Sequence, residues 1–150
     1  ENINIHLVIA GEFWDDQAVY ERQIEKLGIS DMVTIRADYI PDSEAGLFFE
    51  SADLFVAPYI SGTQSGSIKQ AMGYGLPLVV TDVITDPMIR EYESGATIVT
   101  AGDCLSLAFG IQDLIDEVHS SSQETNALNS SWAELINALL SYPSSLEDQG

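Results

Sequence analysis

Short apolar runs that alternate with helix-forming segments are the feature that most constrains the fold of this chain of 150 residues. The runs are continuously apolar rather than alternating, which is typical of parallel strands buried on both faces. Parallel strands need a crossover between them, and helices commonly provide it. The sequence therefore predicts an α/β domain with a doubly wound parallel sheet. The predicted strands are Ile3–Ala10, Met32–Ala37, Asp53–Pro58, Leu76–Thr81 and Ala96–Thr100.

Capping residues delimit the predicted helices. Asp15 or Asp16 can cap a first helix that Gly28 closes. Asp42 or Ser43 can cap a second helix. A short third helix runs through Met72 and ends at Gly73 and Gly75, and two later segments, Cys104–Val118 and Trp132–Leu140, place apolar residues on one face. We predict a loop over His119–Ser131 and a flexible tail over residues 143–150.

Charge and composition exclude several classes of function. The chain has 24 carboxylates against five basic residues, a formal net charge of −19. Nucleic-acid binding needs basic patches, and an anionic membrane surface would repel such a chain. No apolar run is long enough to span a bilayer, so we expect a cytoplasmic protein. The chain begins with Glu1 and enters a predicted strand almost at once, from which we expect a piece of a longer polypeptide.

The segment between the third strand and the third helix is the best candidate for chemistry. Ligands of doubly wound sheets bind beyond the carboxyl ends of the strands. Residues 61–67 supply small polar side chains and two glycines before a helix start, which suits an anion such as a diphosphate. Lys69 can add a positive charge. Loops of ordinary composition also contain Ser and Gly, so the pattern alone leaves a purely structural turn open.

Other chemistries find less support in the sequence. No spacing of Cys, His or Asp is typical of a metal cage, so we expect no metal and no bound cofactor. Ser65 has no evident partner histidine, and we predict no catalytic residue in this chain. Trp14 follows the first strand and could stack on a ring, although a partly buried cap is the preferred prediction.

The order of several motifs resembles a known family. Ala52–Pro58 reads A-D-L-F-V-A-P, Gln70–Pro77 reads Q-A-M-G-Y-G-L-P, and Glu93-Ser94-Gly95 follows. In this order and spacing, the motifs resemble the carboxy-terminal, donor-binding domain of the family-4 (group 1) glycosyltransferases. The resemblance covers residues 5–142. It implies a Rossmann-like half of a GT-B fold and a retaining transferase that uses a nucleotide-diphosphate sugar without metal.

The resemblance also implies roles for individual residues. The loop before the third helix would face the diphosphate and donor sugar, Gln70 would bind the ribose, and the segment after the second strand would flank the base. The acceptor would be held by an amino-terminal domain absent from this chain, or by a partner chain. The longer protein would be cytoplasmic, with peripheral membrane association left open. The implied donor-site residues are Thr63, Gln64, Ser65, Gly66 and Ser67, with Asp38, Tyr39 and Ile40 beside the base.

Two departures separate the chain from the family pattern. The family carries two glutamates separated by seven residues, and these positions hold Gly62 and Gln70 here. The family domain also begins with a further strand and helix that carry an Arg/Lys pair, and neither precedes Glu1. We therefore interpret residues 1–142 as a nucleotide-sugar-binding domain without its first strand, inactive as a fragment. A Thr-Gln-Ser-Gly loop also occurs in bacterial relatives that resemble working transferases.

Three alternatives remain open from the sequence. Gly62, Gln70 and the acidic surface favour a degenerate module kept for binding or assembly. The missing strand favours one chain of a split transferase. A sugar-nucleotide epimerase of the same fold is a more distant alternative, because a fold does not fix a function.

Overall fold

The computed structural model describes residues 5–62 and 65–122. These residues form two compact units: the first ends at Gly46 and the second begins at Leu47. All five strands in these ranges pair in parallel, which confirms the predicted α/β class. The predicted helix around Trp132 and the predicted tail after Tyr142 lie outside the described residues.

The first unit contains a two-stranded parallel sheet and the helix that connects its strands. β1 (Leu7–Ala10) pairs with β2 (Val33–Arg36), and α1 (Gln17–Leu27) forms the crossover. Asp16 caps α1 by accepting a hydrogen bond from the Ala18 amide at 3.0 Å. Gly28 closes the helix with a φ of 68°, a left-handed conformation that glycine adopts without strain. Both predicted ends of α1 are confirmed.

Two sequence predictions in this part of the chain need correction. The first strand begins at Leu7 rather than Ile3, and the predicted residues 1–4 lie outside the described ranges. α2 (Asp42–Ser51) is not capped by Asp42 or Ser43. The Pro41 carbonyl accepts hydrogen bonds from the Glu44 and Ala45 amides, so Pro41 holds the cap position. Asp42 then lies in the first turn, where its negative charge interacts favourably with the helix dipole.

The second unit is a three-stranded parallel sheet in the order β3–β4–β5. β3 (Phe55–Ala57) pairs with β4 (Leu78–Thr81), which in turn pairs with β5 (Ala96–Val99). The crossovers are α3 (Gly66–Gly73) and the single turn α4 (Pro87–Arg90). A last helix, α5 (Cys104–Ser122), follows β5.

The central strand β4 explains why this unit has a core. Leu78 and Val80 point to one face, where they pack with Ile68 of α3 and Ile89 of α4. Val79 points to the other face and packs with residues that include Leu114 of α5. Burial of a Val or Leu side chain stabilises a fold by about 1.5–3 kcal/mol, and these three β4 side chains are fully buried. Helices therefore cover both faces of this sheet, as the continuous apolar pattern predicted.

α5 runs longer than the sequence predicted. The predicted face is confirmed, since Leu114 and Ile115 are buried and Leu107 and Ile111 pack against the core. The helix continues to Ser122 instead of ending at Val118. Ser and Asn lower helix propensity only modestly, so a Ser-rich segment can still extend an established helix.

α5 lies close to the sheet at Gly110. A Cβ built on Gly110 would come within 2.5 Å of Val99 Cγ1 and within 3.2 Å of Thr97 Cγ2. Such a distance is shorter than a van der Waals contact, so the absence of a side chain at residue 110 permits the close approach of helix and sheet.

α4 was not predicted from the sequence, although its start carries a recognisable capping pattern. Asp86 accepts a hydrogen bond from the Met88 amide at 3.1 Å, and Pro87 follows at the first helical position. A capping Asp followed by Pro is a recognised helix start. One turn is too short to show apolar periodicity, which is why the segment gave no helical pattern.

Candidate functional site

The segment that joins β3 to α3 forms the candidate site. β3 ends at the buried Ala57, and α3 begins at Gly66. Ser65 is extended, with a φ of −144°, and its Oγ accepts a hydrogen bond from the Ile68 amide at 3.4 Å. This serine therefore caps the helix and satisfies one of the amides that a helix start leaves without an intrahelical partner.

The start of α3 is open to a ligand. Gly66 and Ser67 are both exposed, and a Cβ built on Gly66 would meet no atom within 4 Å. The first amides of a helix point outward and carry a partial positive charge. With Ile68 bound by Ser65, the amides of Gly66 and Ser67 are left to face an approaching anion. Such an arrangement can bind a phosphate group.

Tyr59 and Thr81 connect the loop to the sheet. The Tyr59 hydroxyl lies 2.9 Å from Ser65 Oγ, and either oxygen can be the donor. At the other end of the same residue, the Tyr59 carbonyl accepts a hydrogen bond of 2.6 Å from Thr81 Oγ1. Thr81 is the last residue of β4 and is buried. The loop is thus anchored to the carboxyl end of the central strand.

The backbone at Gly62 has a conformation that glycine favours. Its φ is 105°, in the region that residues with a Cβ rarely adopt. The resemblance places one of the family's glutamates at this position. The loop of this chain therefore follows a backbone path that a glutamate at residue 62 would strain, and the departure from the family pattern extends beyond the side chain.

Lys69, the cation predicted to assist the site, is engaged by a carboxylate. Its Nζ lies 3.6 Å from Asp86 Oδ2, and the side chains of Lys69 and Asp86 are 52% and 15% exposed. Asp86 also caps α4, so its carboxylate is held in place. The positive charge near the start of α3 is therefore partly compensated before any anion binds.

The structure brings together only part of the residues that the resemblance assigned. Ser65, Gly66 and Ser67 lie at the start of α3, and the exposed Gln70 lies one turn further on. Thr63 and Gln64 lie outside the described residues. The segment Asp38–Ile40 belongs to the first unit and follows β2.

Arg36 forms an ion pair with Asp38, one residue of the predicted base-flanking segment. Its guanidinium lies 3.5 Å from both the Asp38 and the Glu44 carboxylates, so a positive charge near the end of β2 is also paired. Tyr39 is 67% exposed beside this ion pair.

The roles of three residues at the site were not predicted from the sequence, namely those of Tyr59, Thr81 and Asp86. A hydrogen bond between loop residues six positions apart produces no periodic pattern in the sequence. The hydrogen bond between Tyr59 and Ser65 could therefore not be predicted. The prediction for Trp14 was wrong: its side chain is 98% exposed and caps nothing. The neighbouring Phe13 is half-buried, and its ring meets that of Tyr20 edge-to-face with the ring centroids 5.2 Å apart.

The other features of the described residues do not add a second centre. No group of three His, Cys, Asp or Glu side chains within residues 5–62 and 65–122 is placed to hold a metal ion. Within the same ranges no helix is long and apolar enough to cross a membrane. A shallow cavity of about 450 Å³ lies at the far end of α3, away from Ser65. Its lining residues are Met72, Met88, Glu91, Tyr92, Glu93 and Ser94.

Parallel strands covered by helices define a Rossmann-like α/β class of domain, in which ligands bind beyond the carboxyl ends of the strands. Residues 1–117 match the sequence profile of the glycosyl transferases group 1 family, and the chain belongs to that family. A search of curated proteins gave no significant match.

Two solved structures show the same fold. WaaG, a glycosyltransferase involved in lipopolysaccharide biosynthesis, matches with a TM-score of 0.60 and 18% identity. Sucrose-phosphate synthase from Thermosynechococcus elongatus matches with a TM-score of 0.64 and 19% identity. Each match covers 91% of this chain, but only 38% of WaaG and 34% of the synthase. The chain thus has the Rossmann-like fold of one part of GT-B proteins and spans about a third of their length.

Proposed function

We propose that this chain binds the diphosphate of a nucleotide sugar at the start of α3 and serves a retaining glycosyltransferase. The observation that carries the proposal is the exposure of Gly66 and Ser67 at the start of α3, beside the capping hydroxyl of Ser65. The amides of these two residues lie in the first turn, where they have no intrahelical partner. Hydrogen bonds to a charged partner contribute about 1.5–3 kcal/mol each. Family membership supports a sugar nucleotide over other phosphate ligands.

The chemistry is transfer of the sugar to an acceptor hydroxyl. The acceptor oxygen forms a bond to the anomeric carbon, the bond from that carbon to the diphosphate breaks, and its electron pair leaves with the diphosphate oxygen. The helix start of α3 would stabilise the negative charge that develops there. A base must take the acceptor proton, and we assign it to the acceptor-binding part of a longer protein or to a partner chain. We propose no metal and no cofactor.

Calorimetric titration of the chain with UDP, GDP, ADP and CDP, without divalent metal, tests the proposal directly. We expect saturable binding of one nucleotide. Gln70→Ala should weaken that binding about 3- to 10-fold, because Gln70 is exposed one turn into α3 and is assigned to the ribose hydroxyls. Absence of binding by the chain and by the longer protein that contains it would contradict the proposal.

The ion pair of Lys69 and Asp86 provides a further prediction. Asp86→Asn should retain the cap of α4, because Asn caps as well as Asp, while releasing Lys69. We expect the affinity for the nucleoside diphosphate to rise about 2- to 5-fold, a gain in the range of exposed ion pairs. The gain should shrink as sodium chloride is added.

Asp103 offers a matched control for this substitution. Its carboxylate caps α5 by accepting hydrogen bonds from the Leu105 and Ser106 amides. Asp103→Asn makes the same change of charge at another helix start, so it should alter affinity less than Asp86→Asn does. Equal gains from both variants would show that net charge, and not Lys69, controls affinity.

Two observations favour a degenerate binding module as the second candidate. The backbone at Gly62 has a φ of 105°, which disfavours the family's glutamate, and Lys69 is already paired. A degenerate module would bind none of the four nucleotides, whether alone or within the longer protein. The titration therefore separates the two candidates.

The edge of β3 supports the proposal that a further strand comes from outside the described residues. Among these residues β3 pairs with β4 alone, and the Phe55 amide points to β4 by donating to the Pro77 carbonyl at 2.9 Å. Alternate residues of a parallel strand direct their amides to opposite sides, so the Val56 amide points to the other edge. Phe55 and Val56 are nevertheless half-buried and apolar, unlike a typical edge strand. Nucleotide binding that appears only in the longer protein would support this contribution.

A further inference from the structure

The pair of hydroxyls formed by Tyr59 and Ser65 has a hydrogen-bonding property that neither residue has alone. Their oxygens lie 2.9 Å apart, and Ser65 Oγ also accepts the Ile68 amide. Each hydroxyl carries one hydrogen and can accept two hydrogen bonds. One of the two hydrogens is used within the pair. The other is left over, whichever of the two oxygens is the donor.

The fold restrains both residues of this pair. Ser65 is held by the α3 cap, and the backbone of Tyr59 is held by Thr81 through the bond of 2.6 Å to its carbonyl. Both ends of the pair are therefore anchored, one to a helix and one to the central strand. A donor that is anchored before binding loses little entropy when it meets a ligand.

We propose that Tyr59 is a positioning residue for the diphosphate site, and that Tyr59 and Ser65 act together as one O–H donor to the phosphate oxygens. This inference rests on the proposed function and adds to it a residue that the family resemblance did not assign. When Tyr59 donates to Ser65, the Ser65 hydrogen is directed away from Tyr59 and towards the ligand side. Without the tyrosine hydroxyl, the Ser65 hydrogen has no fixed direction.

Tyr59→Phe removes the hydroxyl and keeps the ring. We expect the affinity for the nucleoside diphosphate to fall about 3- to 10-fold, in line with the loss of one ordered hydrogen bond. Affinity for the corresponding nucleoside, which has no phosphate, should stay within about 2-fold, since the assigned base and ribose contacts lie elsewhere. Calorimetry measures both affinities. A purely structural role of Tyr59 would weaken both ligands to the same extent.

A double-mutant cycle tests whether the two hydroxyls act as one unit. Ser65→Ala should weaken diphosphate binding, and adding Tyr59→Phe to Ser65→Ala should weaken it no further. Independent, additive losses would overturn the proposal. Ser65→Thr, which retains a hydroxyl at the cap, should recover most of the affinity lost in Ser65→Ala.

Tyr92→Phe is the matched control. The Tyr92 hydroxyl donates to the Met72 carbonyl at 3.2 Å, so the same atom is lost at the opposite end of α3. Thermal unfolding should change similarly in both tyrosine variants, and diphosphate affinity should fall only in Tyr59→Phe. An equal fall in both would overturn the inference. Failure of the unsubstituted chain and of the longer protein to bind any nucleotide would instead remove the proposed function on which the inference rests.

Discussion

Replacement of Gly66 with valine is expected to reduce nucleoside diphosphate affinity at least about 100-fold and to leave the stability of the chain nearly unchanged. The position is exposed, and a Cβ there would meet no atom within 4 Å, so the fold has room for the side chain. The same side chain would cover the amides of Gly66 and Ser67. Loss of two charge-assisted hydrogen bonds, about 1.5–3 kcal/mol each, accounts for the expected decrease.

Gly73→Val provides the control for this prediction. Gly73 is the last residue of α3, is exposed, and has the same open space around a built Cβ. Both variants should unfold within about 2 °C of the unsubstituted chain, since exposed substitutions change stability by about 0.5 kcal/mol or less. Only Gly66→Val should lose nucleotide binding in calorimetry. Unchanged affinity in Gly66→Val would exclude the start of α3 as the phosphate site.

Replacement of Gly110 with alanine is expected to destabilise the chain by up to about 2 kcal/mol. Alanine normally stabilises a helix interior by about 1 kcal/mol relative to glycine. Here its methyl group would lie 2.5 Å from Val99 Cγ1, and branched side chains have little freedom to rotate away. Overpacking of this kind costs about 1–3 kcal/mol, and the cost should exceed the gain. Denaturant unfolding followed by circular dichroism measures the difference.

The contact with Val99 can be tested by a second substitution. Val99→Ala removes the Cγ1 atom that the new methyl group would meet. In the Gly110→Ala background it should therefore cost less stability than in the unsubstituted chain, a coupling that neighbouring residues commonly show. Gly73→Ala, a glycine replacement in α3 with open space, should be neutral or stabilising. Stabilisation by Gly110→Ala would contradict the close approach of α5 to the sheet.

The fold was predictable from the sequence where burial produced continuous patterns. β4 was recognised because all four of its residues are apolar or small and buried from both sides. The ends of α1 were recognised because Asp16 and Gly28 have local conformational preferences that need no tertiary contact. β1 was overestimated, since a run of apolar residues does not say how many of them find a pairing partner.

The site was predictable only in outline. The Ser- and Gly-rich segment between a strand and a helix indicated an anion site, and the family resemblance singled out Ser65 and Gly66. The links from Tyr59 to Ser65 and Thr81 join residues up to 22 positions apart. The engagement of Lys69 by Asp86 depends on where α4 packs. Such pairings arise from the folded chain, so no local pattern could predict them.

The φ of 105° at Gly62 also limits which single substitutions this loop tolerates. A Gly62→Glu substitution would place a residue with a Cβ at a positive φ, and the resulting backbone strain would cost about 1–3 kcal/mol of stability. Neighbouring loop residues would have to change first, so that a negative φ becomes favourable at this position. A loop with glutamate at position 62 and the present loop with glycine therefore cannot be interconverted by this one substitution without a loss of stability. To convert one loop into the other, the whole segment between β3 and α3 should be exchanged.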